Sequence, residues 1–171
     1  MALLAKLRAR GTKRGPRPSG PPGPWVLLAA WGPCGYAPVA PGTFGTLGAI
    51  PLYLALSRLS PGAYVAFTLA FSALAVVASD RAGRYWRVAD ASPIVIDEVA
   101  GYLLTMALVP FSWRAALAGF VLFRIFDVTK PWPASAFDRV KSGFGVVMDD
   151  LAAAVWAWAA LGALRLLGVV P

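Results

Sequence analysis

Residues 149–170 read DDLAAAVWAWAALGALRLLGVV, an acidic pair followed by a long apolar run. From Leu151 to Leu164 the run is apolar on every helical face, which predicts a wholly buried helix. Alternation at period two is absent and Ala and Leu dominate, so helix is favoured over strand. Working outward from Leu151–Val170, four more apolar stretches run from Thr46 to Ser57, Gly62 to Ser79, Val99 to Phe111 and Ala115 to Phe126. Only Gly62–Ser79 and Leu151–Val170 approach the roughly 20 residues that cross about 30 Å of hydrocarbon. The shorter ones extend into flanking residues, re-enter, or bury in protein, and Pro110 and the Pro131/Pro133 pair mark breaks. The expectation is an all-α, membrane-associated bundle of about five apolar helical segments plus short interfacial helices.

The rest of the composition points the same way. Hydrophobic residues make up 58% of the 171 and charged residues 14%, against about 25% charged in ordinary globular chains. Sixteen basic residues face eight acidic ones, for a net charge of +8, and histidine is absent. Every mechanism built on imidazole is therefore excluded, including Ser-His-Asp hydrolysis and histidine-liganded zinc. The single cysteine, Cys34, excludes an internal disulfide or a cysteine metal cluster and reads as a small packing residue. Acids, bases and metal ligands must come mainly from carboxylates.

Residues 1–24 hold Lys6, Arg8, Arg10, Lys13, Arg14 and Arg17, then Gly, Pro and Ser, and are expected to form a disordered basic tail. Residues 25–171 are expected to form a single helical domain. A signal peptide is disfavoured, because the apolar run Trp25–Trp31 is short and no A-x-A site follows it closely. The tail is expected to lie on anionic lipid; no motif supports nucleic acid. With the N-terminus inside and five crossings, 13 basic residues fall on the inner side and only Arg58, Arg114 and Arg165 outside, as the positive-inside rule requires. The same threading brings all eight acids to inner ends or loops.

Four short segments can carry chemistry. In FRIFDVTKPWP (123–133), Arg124, Asp127 and Lys130 are spaced i, i+3, i+6, one face of a helix. They fit either a surface salt-bridge ladder or a phosphate clamp with a metal-binding aspartate beside it. Asp149 and Asp150 precede the last apolar run and follow a KSGFG turn. They read as helix caps or as ligands of a hard cation, although adjacent helical residues point about 100° apart. Asp97 and Glu98, in IVIDEVAGY, repeat the pattern of an acidic pair at a helix start. In PGTFGT (41–46), Gly42, Thr43, Gly45 and Thr46 either offer amides and hydroxyls to a phosphate at a helix N-terminus or permit close helix packing.

Taken together, PGTFGT at 41–46, IDEVAG at 96–101, FRIFDVTKPWP at 123–133 and GFGVVMDDL at 143–151 resemble the phosphatidylglycerophosphatase A family over about residues 33–166. Val128 and Thr129 depart slightly from the usual motif, and the basic tail has no counterpart in it. The resemblance implies a helical bundle around a central helix and an Mg2+-dependent membrane phosphatase of glycerophospholipid biosynthesis. Its substrate is phosphatidylglycerophosphate and its product phosphatidylglycerol. The implied setting is a bacterial cytoplasmic (inner) membrane, with the active site on the cytoplasmic face.

Carried over residue by residue, the resemblance implies Asp97, Glu98, Asp127, Asp149 and Asp150 as ligands of one or two Mg2+ ions. Arg124 and Lys130 are implied on the phosphoryl oxygens, with Gly42, Thr43, Gly45 and Thr46 as further substrate contacts. Attack by water and attack by a carboxylate, to give an aspartyl phosphate, both fit these residues. The rival readings are a cation transporter using the same carboxylates and another membrane phospholipid-phosphate enzyme. The D-x2-D-G-x2-A-R signature of phospholipid alcohol transferases is missing, as is any visible inverted repeat.

Overall fold

The computed structural model describes residues 20–171. Among them are seven α-helices, one short 3-10 turn at Cys34–Tyr36 and no strand. The helices are α1 (Pro24–Ala29), α2 (Pro41–Leu56), α3 (Pro61–Trp86), α4 (Ile96–Thr105), α5 (Trp113–Thr129), α6 (Ala134–Phe137) and α7 (Gly143–Leu166). Residues 1–19, which hold all six tail cations, lie outside the described residues, and so does most of the expected tail.

Local chemistry sets the helix starts. Pro24, Pro41 and Pro61 open α1, α2 and α3, where a missing amide costs nothing and φ is already helical. Ser60, Ser112 and Ser142 cap α3, α5 and α7, each hydroxyl accepting the amide three residues on at 3.4, 3.0 and 3.2 Å. Arg87 and Lys130 end α3 and α5 in left-handed conformation, with φ of 54° and 47°.

Helix α2 starts at Pro41 rather than Thr46 and α3 runs past Ser79 to Trp86, and two further differences from the sequence expectation bear on the site. Helix α7 begins at Gly143, well before the apolar run at Leu151, so Asp149 and Asp150 lie in its second turn rather than at its start. The KSGFG segment is a turn only at Lys141 and Ser142, because Ser142 caps and the glycines let the helix pack close to its neighbours. Helix α4 stops at Thr105, and the rest of the run to Phe111 is non-helical, with Leu108 at φ 61°.

The central element is α4. All ten of its residues except Leu104 are buried, among α2, α3, α5 and α7. A Cβ at Gly101 would lie 2.5 Å from the Phe123 ring and 3.3 Å from the Asp150 carbonyl. That glycine lets α4, α5 and α7 meet where the acidic residues lie. Two buried phenols anchor the helix to its neighbours: Tyr64 donates to the Leu103 carbonyl at 2.8 Å and Tyr102 to the Ala116 carbonyl at 3.0 Å.

Among the described residues two helices, α3 and α7, are long and apolar enough to cross a membrane. In the most apolar stretch of α3 only 39% of residues are buried within the protein, against 56% for α7. The outer face of α3 is therefore apolar and open, the surface a lipid-facing helix needs. Helix α5 adds an exposed stripe of Trp113, Leu117, Val121 and Ile125, one residue every four.

Candidate active site

The first turn of α4 supplies Asp97 and Glu98, both buried. The residue before the helix is Val95, and no side chain caps it, so neither acid is held there as a cap. Their position in the first turn is favourable, since the positive end of the helix dipole lies beneath them. Asp127 is the opposite case: it sits, fully buried, in the last turn of α5, where the dipole disfavours an anion. Arg124, one turn earlier, compensates, with Nη1 2.8 Å from Asp127 Oδ2. The same Nη1 lies 3.9 Å from Glu98 Oε1 and donates to Thr46 Oγ1 at 3.5 Å.

Lys130 does not continue this face. Its left-handed backbone turns it out of the helix, and Nζ bonds Asp138 Oδ1 at 2.9 Å and Asp149 Oδ2. Arg124 and Lys130 thus form two separate cation centres rather than one ladder. The 100° between neighbouring helical residues divides the α7 pair in the same way: Asp149 goes to Lys130, and Asp150 turns to α4. One oxygen each from Asp97, Glu98 and Asp150 lies within 4.8 Å of the others. Of the five carboxylates expected around metal, three are thereby brought together, and Asp127 and Asp149 are drawn to cations.

The PGTFGT segment forms the first turns of α2 against this cluster. A Cβ at Gly42 would lie 2.1 Å from Glu98 Oε1 and 3.1 Å from Arg124 Nη1, so only glycine leaves those side chains their room. Thr46, fully buried, donates to the Gly42 carbonyl at 2.9 Å while accepting from Arg124. Gly45 serves packing, since its Cβ would meet Val95 Cβ at 2.7 Å. Thr43 is half-buried in the same turn.

Burial, with Glu98 and Asp150 close by, holds the Asp97 carboxyl well above the usual carboxylate range; a hydrogen bond with Glu98 and the charge of Asp90 add to the shift. Its Oδ1 is buried with no hydrogen-bond donor. Crowded carboxylates in a dry site require a cation or protons. A donor set of oxygens alone, without nitrogen or sulfur, fits a hard metal ion. Two further acids take part that sequence reasoning passed over. Asp138 shares Lys130 with Asp149, and Asp90 adds its field at Asp97. Neither shares a helix with its partner; only the scarcity of acids in the chain could have drawn attention to them.

Known proteins match this chain over most of its length. A family model described as phosphatidylglycerophosphatase A matches residues 27–165. Phosphatidylglycerophosphatase A of Escherichia coli strain K12 is 37% identical over 134 residues, covering 77% of this chain and 78% of that protein. The protein of the same description from Haemophilus influenzae is 37% identical over 137 residues, covering 78% and 84%. A Bacteroides thetaiotaomicron protein, provisionally described as a phosphatidylinositol-3-phosphatase, is 34% identical over 148 residues, covering 82% and 92%. No solved structure matches.

Proposed function

The chain belongs to the phosphatidylglycerophosphatase A family, and we propose that it hydrolyses the terminal phosphate monoester of phosphatidylglycerophosphate to phosphatidylglycerol and inorganic phosphate. The observation that carries this reading is the convergence of Asp97, Glu98 and Asp150 within 4.8 Å, beside Arg124. These three carboxylates would hold Mg2+, whose Lewis acidity draws charge off phosphoryl oxygens and makes a neighbouring water more acidic. Arg124, oriented by Asp127 and Thr46, presents its guanidinium where negative charge grows on the transferring group. Lys130, held between Asp138 and Asp149, supplies a second positive charge. In a chain without histidine, fixed cations and carboxylates carry the whole task.

The proposed setting is a bacterial inner membrane, with the site facing the cytoplasm. It is supported by the apolar lengths of α3 and α7 and by the basic residues where α3 ends and α7 begins. Cation transport is the weaker reading: Asp97 and Glu98 open a short helix and Asp150 lies in the second turn of α7, rather than midway along a span.

The test is phosphate release from phosphatidylglycerophosphate by detergent-purified protein. Activity is expected with Mg2+ and should vanish with a chelator; full turnover in chelator would overturn the carboxylate–metal assignment. Phosphatidylinositol 3-phosphate in the same assay measures how far the headgroup matters. The Gly42→Ala variant is expected to fold, because the atoms its methyl meets are the ends of the Glu98 and Arg124 side chains. Displacing them by about 1 Å should lower kcat by roughly 10- to 100-fold, and a wild-type kcat would show that this approach is not needed for turnover.

A further inference from the structure

Outside the acidic cluster, the end of α3 and the start of α7 enclose a second concave surface. A groove of about 370 Å³ lies between Val76, Val77 and Phe144, with Asp80, Arg81, Arg84 and Ser142 at its polar side. It adjoins a smaller hollow of about 190 Å³ that adds Arg87 and Lys141. The two helices come close here: a Cβ at Gly143 would lie 2.4 Å from the Asp80 amide nitrogen and 2.5 Å from the Val76 carbonyl.

Four cations, Arg81, Arg84, Arg87 and Lys141, surround the two hollows against one carboxylate, Asp80. Their existing contacts leave this excess in place. Arg84 is bonded to Asp80 at 2.6 Å with its side chain 80% exposed. Arg81 stacks 4.3 Å over Trp25, and Lys141 donates to the Asp138 backbone carbonyl at 2.7 Å. The opposite wall is apolar and open, with Val77 41% and Phe144 50% exposed. Cations at the mouth and hydrocarbon on the wall, at the shared end of the two helices long enough to cross a membrane, match the boundary where a lipid phosphate meets its acyl chains. A free phosphate ion would use the cations but not the apolar wall.

We propose that this groove binds the phosphodiester headgroup of an anionic bilayer phospholipid, with Arg84, Arg87 and Lys141 around the phosphate and Val77 and Phe144 against the first carbons of the acyl chains. The site is separate from the acidic cluster, and its occupant is held rather than hydrolysed. It stands whether or not the proposed phosphatase reaction does, because its test reads binding.

The test titrates the full-length protein, in neutral detergent, with dihexanoyl phosphatidylserine by calorimetry. This probe carries an anionic phosphodiester and no terminal phosphate monoester. Saturable binding is expected, weakened by about tenfold or more, roughly 1.4 kcal/mol, in the Arg84→Gln/Arg87→Gln/Lys141→Gln variant. Phosphate release by that variant, measured without phosphatidylserine, should stay within about twofold of wild type. All three positions are exposed, and Lys141→Gln alone, expected to weaken binding by about threefold, gives an independent reading. Dihexanoyl phosphatidylcholine should bind far more weakly, and inorganic phosphate should fail to displace the lipid. Unchanged affinity in the triple variant, equal binding of phosphatidylcholine, or displacement by equimolar phosphate would each overturn the assignment. The basic tail is present in every protein compared, so its attraction for lipid cancels.

Discussion

Asp150→Asn is expected to reduce phosphate release by about 10³-fold or more while leaving the metal-free protein folded and more heat-stable than wild type. The charges that face one another decide both effects. Asp150 lies fully buried against Asp97 and Glu98, and three carboxylates in a dry site repel one another. The upward displacement of the Asp97 pKa, from burial and then from Glu98 and Asp150, has the same origin. For an acid whose folded pKa is raised, the native state binds the proton more tightly. Ionised Asp97 therefore opposes folding once pH exceeds its unfolded value, and relieving the crowding recovers stability. Asparagine keeps the shape and removes the charge. An aspartate whose charge is favoured by the positive end of its helix would behave oppositely, losing roughly 0.3–1 kcal/mol on neutralisation. Thermal unfolding with and without Mg2+ separates the two: wild type should gain Tm on adding metal, and Asp150→Asn should start higher and gain little. A lower starting Tm, or wild-type turnover, would return Asp150 to a structural role.

The second large effect is expected at Arg124. Arg124→Ala deprives the fully buried Asp127 of the guanidinium 2.8 Å away, and breaking a buried pair from one side costs about 3–5 kcal/mol. Activity should fall by about 10²–10³-fold, the range for loss of one positioned donor to transition-state charge. Because instability and lost chemistry both reduce turnover, the informative protein is Arg124→Ala/Asp127→Asn. Removing both charges should restore most of the denaturation midpoint, yet leave turnover as low as in the single variant. Recovery of activity along with stability would make Arg124 a structural counter-ion and nothing more. Arg124→Lys should fold well and still lose activity, since a point charge cannot hold Asp127 and Thr46 in the geometry of a planar fork.

Particular residues mark how far the fold and site could be read from the chain. The apolar run Gly62–Ser79 lies within α3 and most of Leu151–Val170 within α7, which ends at Leu166; these are the two helices of spanning length among the described residues, because uninterrupted apolar character is a property of the segment itself. Helix ends do not follow apolar character. The apolar run does not extend α7 back through two glycines to Gly143; the Ser142 cap and close approach to α3 do so. Nor does local spacing show that Lys130 turns out of line, since that follows from a left-handed residue at the helix end. The same limit applies to the site. Three of the four motifs carry the acids, but which acid would meet metal and which meets a cation depends on helix rotation and on Asp138, a partner from a different element.

Helix α4 is ten residues long, about 15 Å at 1.5 Å per residue, half of what a bilayer core requires. Its acidic end belongs to the site, and its other end is closed in, with Tyr64 on the Leu103 carbonyl and the Trp158 indole on the Ala107 carbonyl. Such a helix is too short to be a span, and its far end is tied to the two helices that are long enough. Under the proposed function, a lipid worked on at the acidic end is expected to be taken from one leaflet and returned to the same leaflet, which assay of the protein in vesicles with substrate confined to one leaflet would test.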